Sequence, residues 1–434
     1  MQAATTTKSQ TAARPRALDA ATMCEAFQIT AAERADQVAL RTIGDGISIT
    51  FAEYAERVKR FAAGFHALHV RPGDTVAFML TNRPDFHLLD TAVMHLGATP
   101  FSIYNTSSPE QIVYLLSDAG NRVMVVEAAF LDRAQEAVAQ VPGVEHLITI
   151  DTVTDDTIPL SEVEFAEVSD FDFEASWRAV KPEDLLTLIY TSGTTGPPKG
   201  VQLTHANELA ECRGIAAMAD WPPGGAVVSF LPAAHIADRG LSHYSNMVWG
   251  HTVTCCPDAT QVFAHVADSH PTFFGAVPRV WEKLKAALEA GIAGELEPTR
   301  PRPPGAVPAT TEAITLGIEK VRMEQRGEPV PESLIAACAE AEEKVFSKIR
   351  AKLGLERCQW YVIGAAPCPL EVLEFFAGIG IPICEVWGMS ETTSVATLNP
   401  PDAVRLGTVG PPIPGVEVKL AQDGEILARG DTIM

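Results

Sequence analysis

Short, unbroken apolar runs alternate along this chain with longer stretches in which apolar residues return every three or four positions. Thr75–Leu80 (TVAFML) predicts a buried strand, and Asp85–Leu96 predicts the helix that follows it. Val123–Glu127, Leu147–Ile150, Leu185–Tyr190, Ala226–Leu231, His251–Cys256, Thr272–Val277 and Trp360–Ile363 continue the series. Apolar runs of strand length, separated by helical lengths, indicate βαβ units and sheets covered on both faces. The expected fold class is α/β.

Two zones interrupt the alternation. Residues 151–181 are acidic and loop-like, which predicts a junction between subdomains. Residues 291–311 contain Pro298, Pro301, Pro303, Pro304 and Pro308, so no regular element should persist there. Helical patterns resume near 312 and run to Leu353, with a break at Pro329 and Pro331. The span 291–335 reads as an insertion on an α/β scaffold. From 395 onward the pattern changes to turns and short strands. The predicted organisation is a disordered tail (1–20), an α/β subdomain (21–180), a second α/β subdomain (181–394) and the start of a β-rich one (395–434).

The first twenty residues are rich in Thr, Ala and Arg and lack the apolar core of a secretory signal. No stretch approaches the ~18 continuous apolar residues of a membrane span. A cytoplasmic protein is expected.

Composition narrows the partners. The chain has 434 residues, 33 Lys+Arg against 55 Asp+Glu, and a net charge of −22. Binding a polyanion needs a basic face, so nucleic acid is excluded. A small phosphate ligand, bound locally, is not. Eight cysteines show neither C-x-x-C nor zinc-type spacing, so reduced, mostly buried thiols are expected.

The sharpest chemical signal is Tyr190-Thr191-Ser192-Gly193-Thr194-Thr195-Gly196-Pro197-Pro198-Lys199-Gly200, between a predicted strand and a helical pattern starting near His205. Small residues let the backbone curl until its N–H groups converge. Hydroxyls and Lys199 add donors and a positive charge, all suited to a polyphosphate. The spacing G-x-x-G-x-x-K, with Gly200 after the lysine, is neither the Walker A nor the dinucleotide pattern.

This string resembles the phosphate loop of the adenylate-forming superfamily, which includes acyl-CoA synthetases, peptide-synthetase adenylation domains and luciferases. Three further segments resemble its other motifs, in order. Phe230–Arg239 contains His235, which the resemblance places beside the acyl substrate and the α-phosphate. Gly364-Ala365-Ala366-Pro367 follows a strand and is similar to the segment along the adenine. Glu385-Val386-Trp387-Gly388-Met389-Ser390-Glu391-Thr392 is similar to the aromatic-Gly-x-[Ser/Thr]-Glu motif, with Trp387 where relatives usually carry Tyr. The upstream strings ITFAEYAERV, RPGDTVAFMLTNRPDF and LGATPFSIYNTSSPEQI look like the family's N-terminal subdomain.

The resemblance implies two α/β subdomains, sheets flanked by helices, and a small distorted β-barrel. It implies ATP, Mg²⁺ and coenzyme A as cofactors and co-substrates. Thr191, Ser192, Gly193, Thr194, Thr195, Gly196 and Lys199 would hold the β- and γ-phosphates. Thr191 and Glu391 would hold Mg²⁺. Gly364, Ala365, Ala366 and Trp387 would hold the adenine, with Glu385 and Gly388 also among the nucleotide-binding residues. Ser390 would reach the α-phosphate and His235 the carboxylate. His235, Glu391 and Lys199 are the expected catalytic residues.

Val277–Leu284, the proline-rich insertion and Tyr114-Leu115-Leu116-Ser117-Asp118-Ala119 are similar to long-chain fatty acyl-CoA synthetases. A long-chain fatty acid is therefore the implied substrate, with the tunnel wall expected from His235–Trp249 and Thr272–Pro278. The motif order reaches Gly430 without the ribose-binding aspartate or the C-terminal lysine domain. The expectation is the large part of a longer enzyme, with impaired turnover alone. The alternatives left open are a fatty-acyl-AMP ligase loading a carrier protein, a non-catalytic ATP- and fatty-acid-binding fragment, and an adenylation domain for another acid. The sequence also leaves open a homodimer and peripheral membrane contact.

Overall fold

The computed structural model describes residues 14–191, 196–294 (side chains to 291) and 309–434. Three sheets and two hairpins carry the strands.

The first sheet is parallel throughout, with the spatial order Thr99–Ser102, Thr75–Met79, Val123–Val126, His146–Thr149 and Ile158–Pro159. Its central strands are buried on both faces, which is why they read as continuous apolar runs. The second sheet orders Ala226–Ser229, Thr252–Cys255, Val38–Thr42 and Ser48–Thr50, the last antiparallel. It therefore draws strands from both sides of residue 180. The third sheet orders Phe273–Ala276, Trp360–Ile363 and Ile383–Trp387 in parallel, with Thr397–Leu398 antiparallel at its edge. Beyond it, Val416–Leu420 and Ile426–Gly430 form a hairpin.

Residues 151–181 differ from the loop expected of them. They contain the edge strand Ile158–Pro159 and the helices Leu160–Glu164 and Phe173–Arg178. Their acidity misled because part of it is neutralised internally. Glu164 accepts from Arg57 at 2.8 Å and from Arg60 at 2.7 Å, while Trp177 is buried. Pro298, Pro301, Pro303, Pro304 and Pro308 lie outside the described residues. On either side, Pro278–Gly294 and Ala309–Gln325 are helices, and Glu332–Ala341 begins just after Pro331. The helix Ala309–Gln325 starts a few residues earlier than its periodicity suggested.

Two capped helices position the site. Pro109–Ala119 starts with proline at its first turn, and Ser108 and Gln111 exchange side-chain-to-backbone bonds of 3.4 and 2.9 Å. It ends at Gly120 with φ 65°, the left-handed stop that glycine favours. His205–Met218 starts with the same kind of box between Thr204 and Asn207, at 3.2 and 3.0 Å. Of the cysteines, six are buried and none is paired. Among the described residues no helix is long and apolar enough to cross a membrane.

Candidate functional site

The two ends of the glycine-rich string lie on paired strands. Leu185–Thr191 pairs antiparallel with Lys199–Thr204, and the register sets Thr191 directly opposite Lys199. Sequence reasoning placed the loop between a strand and a helix. A second strand intervenes, because KGVQLT alternates too briefly after the glycines to stand out. Ser192, Gly193, Thr194 and Thr195 lie outside the described residues. The base of the loop is tied down from one side. Tyr114 donates its hydroxyl to the Pro198 carbonyl at 2.9 Å, and Tyr190 donates to Asp118 Oδ2 at 2.8 Å. A side chain on Gly200 would press to 3.2 Å of the Tyr190 ring. Tyr114 and Asp118 were visible in the sequence only as a family string. They anchor the hairpin to the helix Pro109–Ala119.

His235 precedes the one-turn helix Ile236–Asp238. Its Nδ1 accepts the Ala237 N–H at 3.1 Å, and burial pulls its pKa below the ordinary imidazole value. The ring is therefore neutral, with its proton on Nε2. The segment is fixed by Asp238, its last residue, and by Arg239, which follows it. Asp238 accepts from Ser229 at 2.9 Å and Ser242 at 3.0 Å, and burial pushes its carboxyl up to about 6. Arg239 is fully buried, donating to Asp90 at 2.6 Å, the Ala233 carbonyl at 3.0 Å and Ser102 at 3.2 Å. Both residues stood in the recognised segment without an assigned role.

The third sheet supplies the opposite wall. Gly364 and Ala365 follow the strand Trp360–Ile363, and Ala365 has φ 70°. Gly388 follows the strand Ile383–Trp387, where a Cβ would lie 1.8 Å from the Ser394 carbonyl oxygen, so no larger residue fits. Thr393 (φ 65°) and Ser394 (φ 106°) hold the same turn in left-handed backbone. Strain of this kind gathers where a chain is shaped for a ligand. Ser390 and Glu391 lie in the single turn Ser390–Thr392.

These segments close around one cavity of about 600 Å³. Thr191, Lys199, His235, Gly364, Ala365, Gly388, Ser390 and Glu391 all line it. Lys199 and Glu391 have no ion-pair partner among the described residues. Leu231, Leu241, Ala276, Val277, Val362 and Val386 give the cavity an apolar side. A second cavity of about 670 Å³ adjoins it past Thr191, His235 and Ser390 and is lined by Tyr104, Tyr114 and Pro198. Three expected nucleotide-binding residues are not on the wall. Ala366 is exposed just past it, Trp387 packs partly against the core, and Glu385 accepts the Gly407 N–H at 2.6 Å. Gly196 is exposed beyond the hairpin mouth with φ 86°.

A metal must be weighed against this donor set. Among the described residues no group of three or more His, Cys, Asp or Glu could cage an ion. One carboxylate and one hydroxyl on a shared cavity fit Mg²⁺, which usually keeps waters and takes its remaining ligands from substrate phosphates.

Residues 27–434 match the family described as AMP-binding enzyme. The fadD11 protein of Mycobacterium tuberculosis, which carries a provisional fatty-acid–CoA ligase name, is 47% identical over 279 residues, covering 64% of this chain and 48% of its own length. The long-chain-fatty-acid–CoA ligase FadD15 of Mycobacterium bovis is 32% identical over 408 residues, covering 92% of this chain and 65% of its own. The chain thus spans between about half and two-thirds of these relatives' length. Among solved structures, the N-terminal domain of FACL13 from Mycobacterium tuberculosis superposes with a TM-score of 0.70 at 21% identity, covering 95% of this chain and 90% of that one. An anthranilate CoA ligase, AuaEII, solved with anthranoyl-AMP, gives a TM-score of 0.70 at 17% identity, covering 96% and 71%. These two likenesses concern the fold.

Proposed function

The chain belongs to the AMP-binding enzyme family, and from that premise we propose that it activates a long-chain fatty acid with ATP and passes the acyl group to coenzyme A. The observation that carries the reading is one cavity with a cation and an anion at its polar side and an apolar opposite side. Lys199 and Thr191 come from the hairpin, and Ser390 and Glu391 from the turn after the strand Ile383–Trp387.

In the first half-reaction a carboxylate oxygen attacks the α-phosphorus of ATP, and the bond to pyrophosphate breaks. A carboxylate is a poor electrophile, and the adenylate gives it a good leaving group. The step needs alignment and charge neutralisation more than acid–base chemistry. Lys199 and the hairpin backbone would hold the β- and γ-phosphates. The Nε2–H of His235 would donate to the carboxylate or to the α-phosphate. The flat lane between Gly364–Ala365 and Gly388 would take the adenine, with Ala366, Glu385 and Trp387 at its border. Thr191 and Glu391 would hold Mg²⁺, which when bound neutralises phosphate charge. In the second half-reaction the thiol of coenzyme A attacks the acyl carbonyl carbon, and AMP leaves.

The site residues and the insertion 291–335 belong to this reading, as does the cytoplasm, where ATP and coenzyme A are available. The test is to incubate the chain with ATP, Mg²⁺ and a fatty acid and to look for acyl-adenylate and pyrophosphate. Adding coenzyme A, or instead a carrier protein, separates an acyl-CoA synthetase from an acyl-AMP ligase. Absence of fatty-acid and ATP binding would overturn the proposal.

A further inference from the structure

Behind the apolar side of the main cavity lies a much smaller one of about 30 Å³, close to the space of a single water. The two share Leu241, Val362, Val386, Ser394 and Val395 as common wall. An apolar chain entering from the main cavity would point its far end here.

The small cavity is not uniformly apolar. Glu208 and Glu211, on adjacent turns of the helix His205–Met218, both line it and are only 1% and 2% exposed. Glu211 accepts the Val395 N–H, and its other oxygen lies 3.9 Å from where a Cβ on Gly240 would sit. Glu208 Oε1 takes only the weak Cys212 thiol bond at 3.7 Å. Glu208 Oε2 has no partner, and neither does the indole N–H of Trp221, which lines the same space. Buried polar groups are ordinarily bonded, and leaving them unpaired is destabilising. A packing role for Glu208 would be served better by leucine. Burial of the pair keeps protons on it, so Glu208 can present either a donor or an acceptor.

We propose that Glu208, with Trp221 beside it, selects an acyl chain carrying a hydroxyl group towards its far end rather than a plain alkyl chain. A hydroxyl both donates and accepts, so it satisfies a carboxyl in either protonation state and an indole N–H as well. Its oxygen has about the volume the cavity offers. A methyl end in the same place would leave the carboxyl unpaired, and sites built for a hydroxyl discriminate strongly against its absence.

This inference rests on the acyl-activating reading, so its test reads binding rather than turnover. Trp221 and Trp249 line the small cavity, and intrinsic tryptophan fluorescence can follow titration of the whole chain with acids of matched length. One acid is plain and saturated; the others are hydroxylated at successive positions towards the far end. At least one hydroxylated acid is expected to bind about tenfold or more tightly than the plain one. Glu208→Leu should erase that preference and bind the plain acid at least as well. If all acids bind equally to the unmodified chain, or if Glu208→Leu keeps the preference, the proposal is overturned and the acyl-activating reading stands. If no acid binds at all, that reading fails and takes the proposal with it.

Discussion

The amide N–H of Ala237 donates to Nδ1 of His235 at 3.1 Å, and this one bond sets the tautomer of the ring that lines the cavity. With Nδ1 occupied as an acceptor, the mobile proton sits on Nε2. Burial lowers the imidazole pKa, so the neutral form extends below the ordinary value of 6.5. His235→Ala should reduce fatty-acid-dependent ATP–pyrophosphate exchange by about 10²-fold, the scale of losing one donor to a developing charge. Protonating Nδ1 would break the Ala237 bond that orients the ring, so the exchange rate should fall on the acid side, below the ordinary histidine pKa, and that fall should vanish in the variant. An acid limb unchanged in His235→Ala would remove His235 from the chemistry.

Lys199 is held opposite Thr191 by strand register, and the loop base is fastened through Tyr114 and Pro198. Lys199→Ala should weaken ATP binding by about tenfold or more, because a charge-assisted bond to phosphate is lost. Tyr114→Phe removes only the anchoring hydroxyl, so a smaller loss of affinity is expected. Isothermal titration of ATP into each variant measures both. Equal affinities for all three proteins would mean that the hairpin is a structural turn.

What could be read in advance follows from how each element is buried. Parallel strands covered on both faces, such as Val123–Val126, show as continuous apolar runs and were legible. Lys199–Thr204 was not, since only two of its six residues are buried and glycine and proline precede it. The motif residues Thr191, Lys199, His235, Gly364, Gly388, Ser390 and Glu391 were legible as a set and do meet in one cavity. Trp387 and Glu385 sit in the same string but on the other side of their strand, a matter of β alternation that the motif does not encode. Glu208 and Glu211 were invisible. Acidic residues on a helix normally mean a solvated face, and only the surrounding tertiary structure buries these two.

Arg239 and Asp90 form a pair with no exposure at all, at 2.6 Å, and Asp90 also takes His243 Nε2 at 2.9 Å. Removing one partner strands a buried charge. Asp90→Ala should cost about 3–5 kcal/mol of stability, read as a lower denaturation midpoint. Replacing both Arg239 and Asp90 by apolar residues should cost less than the sum of the single changes. Because Arg239 holds the Ala233 carbonyl beside His235, the double variant should also bind fatty acid more weakly. Additive single costs would show that the pair is not coupled.

Glu391 offers a carboxylate on the cavity wall, without an ion-pair partner among the described residues. If it serves Mg²⁺, its effect must depend on the metal. ATP affinity of the unmodified chain should rise on adding Mg²⁺, and Glu391→Ala should lose most of that increment while keeping metal-free affinity. Titrations of ATP with and without Mg²⁺ separate the cases. An equal loss in both conditions would assign Glu391 to the nucleotide or the fold rather than to the ion.

Glu208 makes a prediction that needs no ligand. Burial pushes its carboxyl up to about 8 from an ordinary 4.5. Between those values the folded chain keeps a proton that the unfolded chain releases. Stability contributed by the group is then full below about 4.5 and declines as pH rises towards 8. Glu211 beside it shifts in the same direction, for the same reason and because of the first carboxyl. Glu208→Gln cannot ionise, so its melting temperature should exceed that of the unmodified chain at neutral pH, and the difference should shrink towards pH 4.5. Thermal melts across that range decide the matter. A difference that stayed constant with pH would mean that Glu208 holds no proton in the folded state.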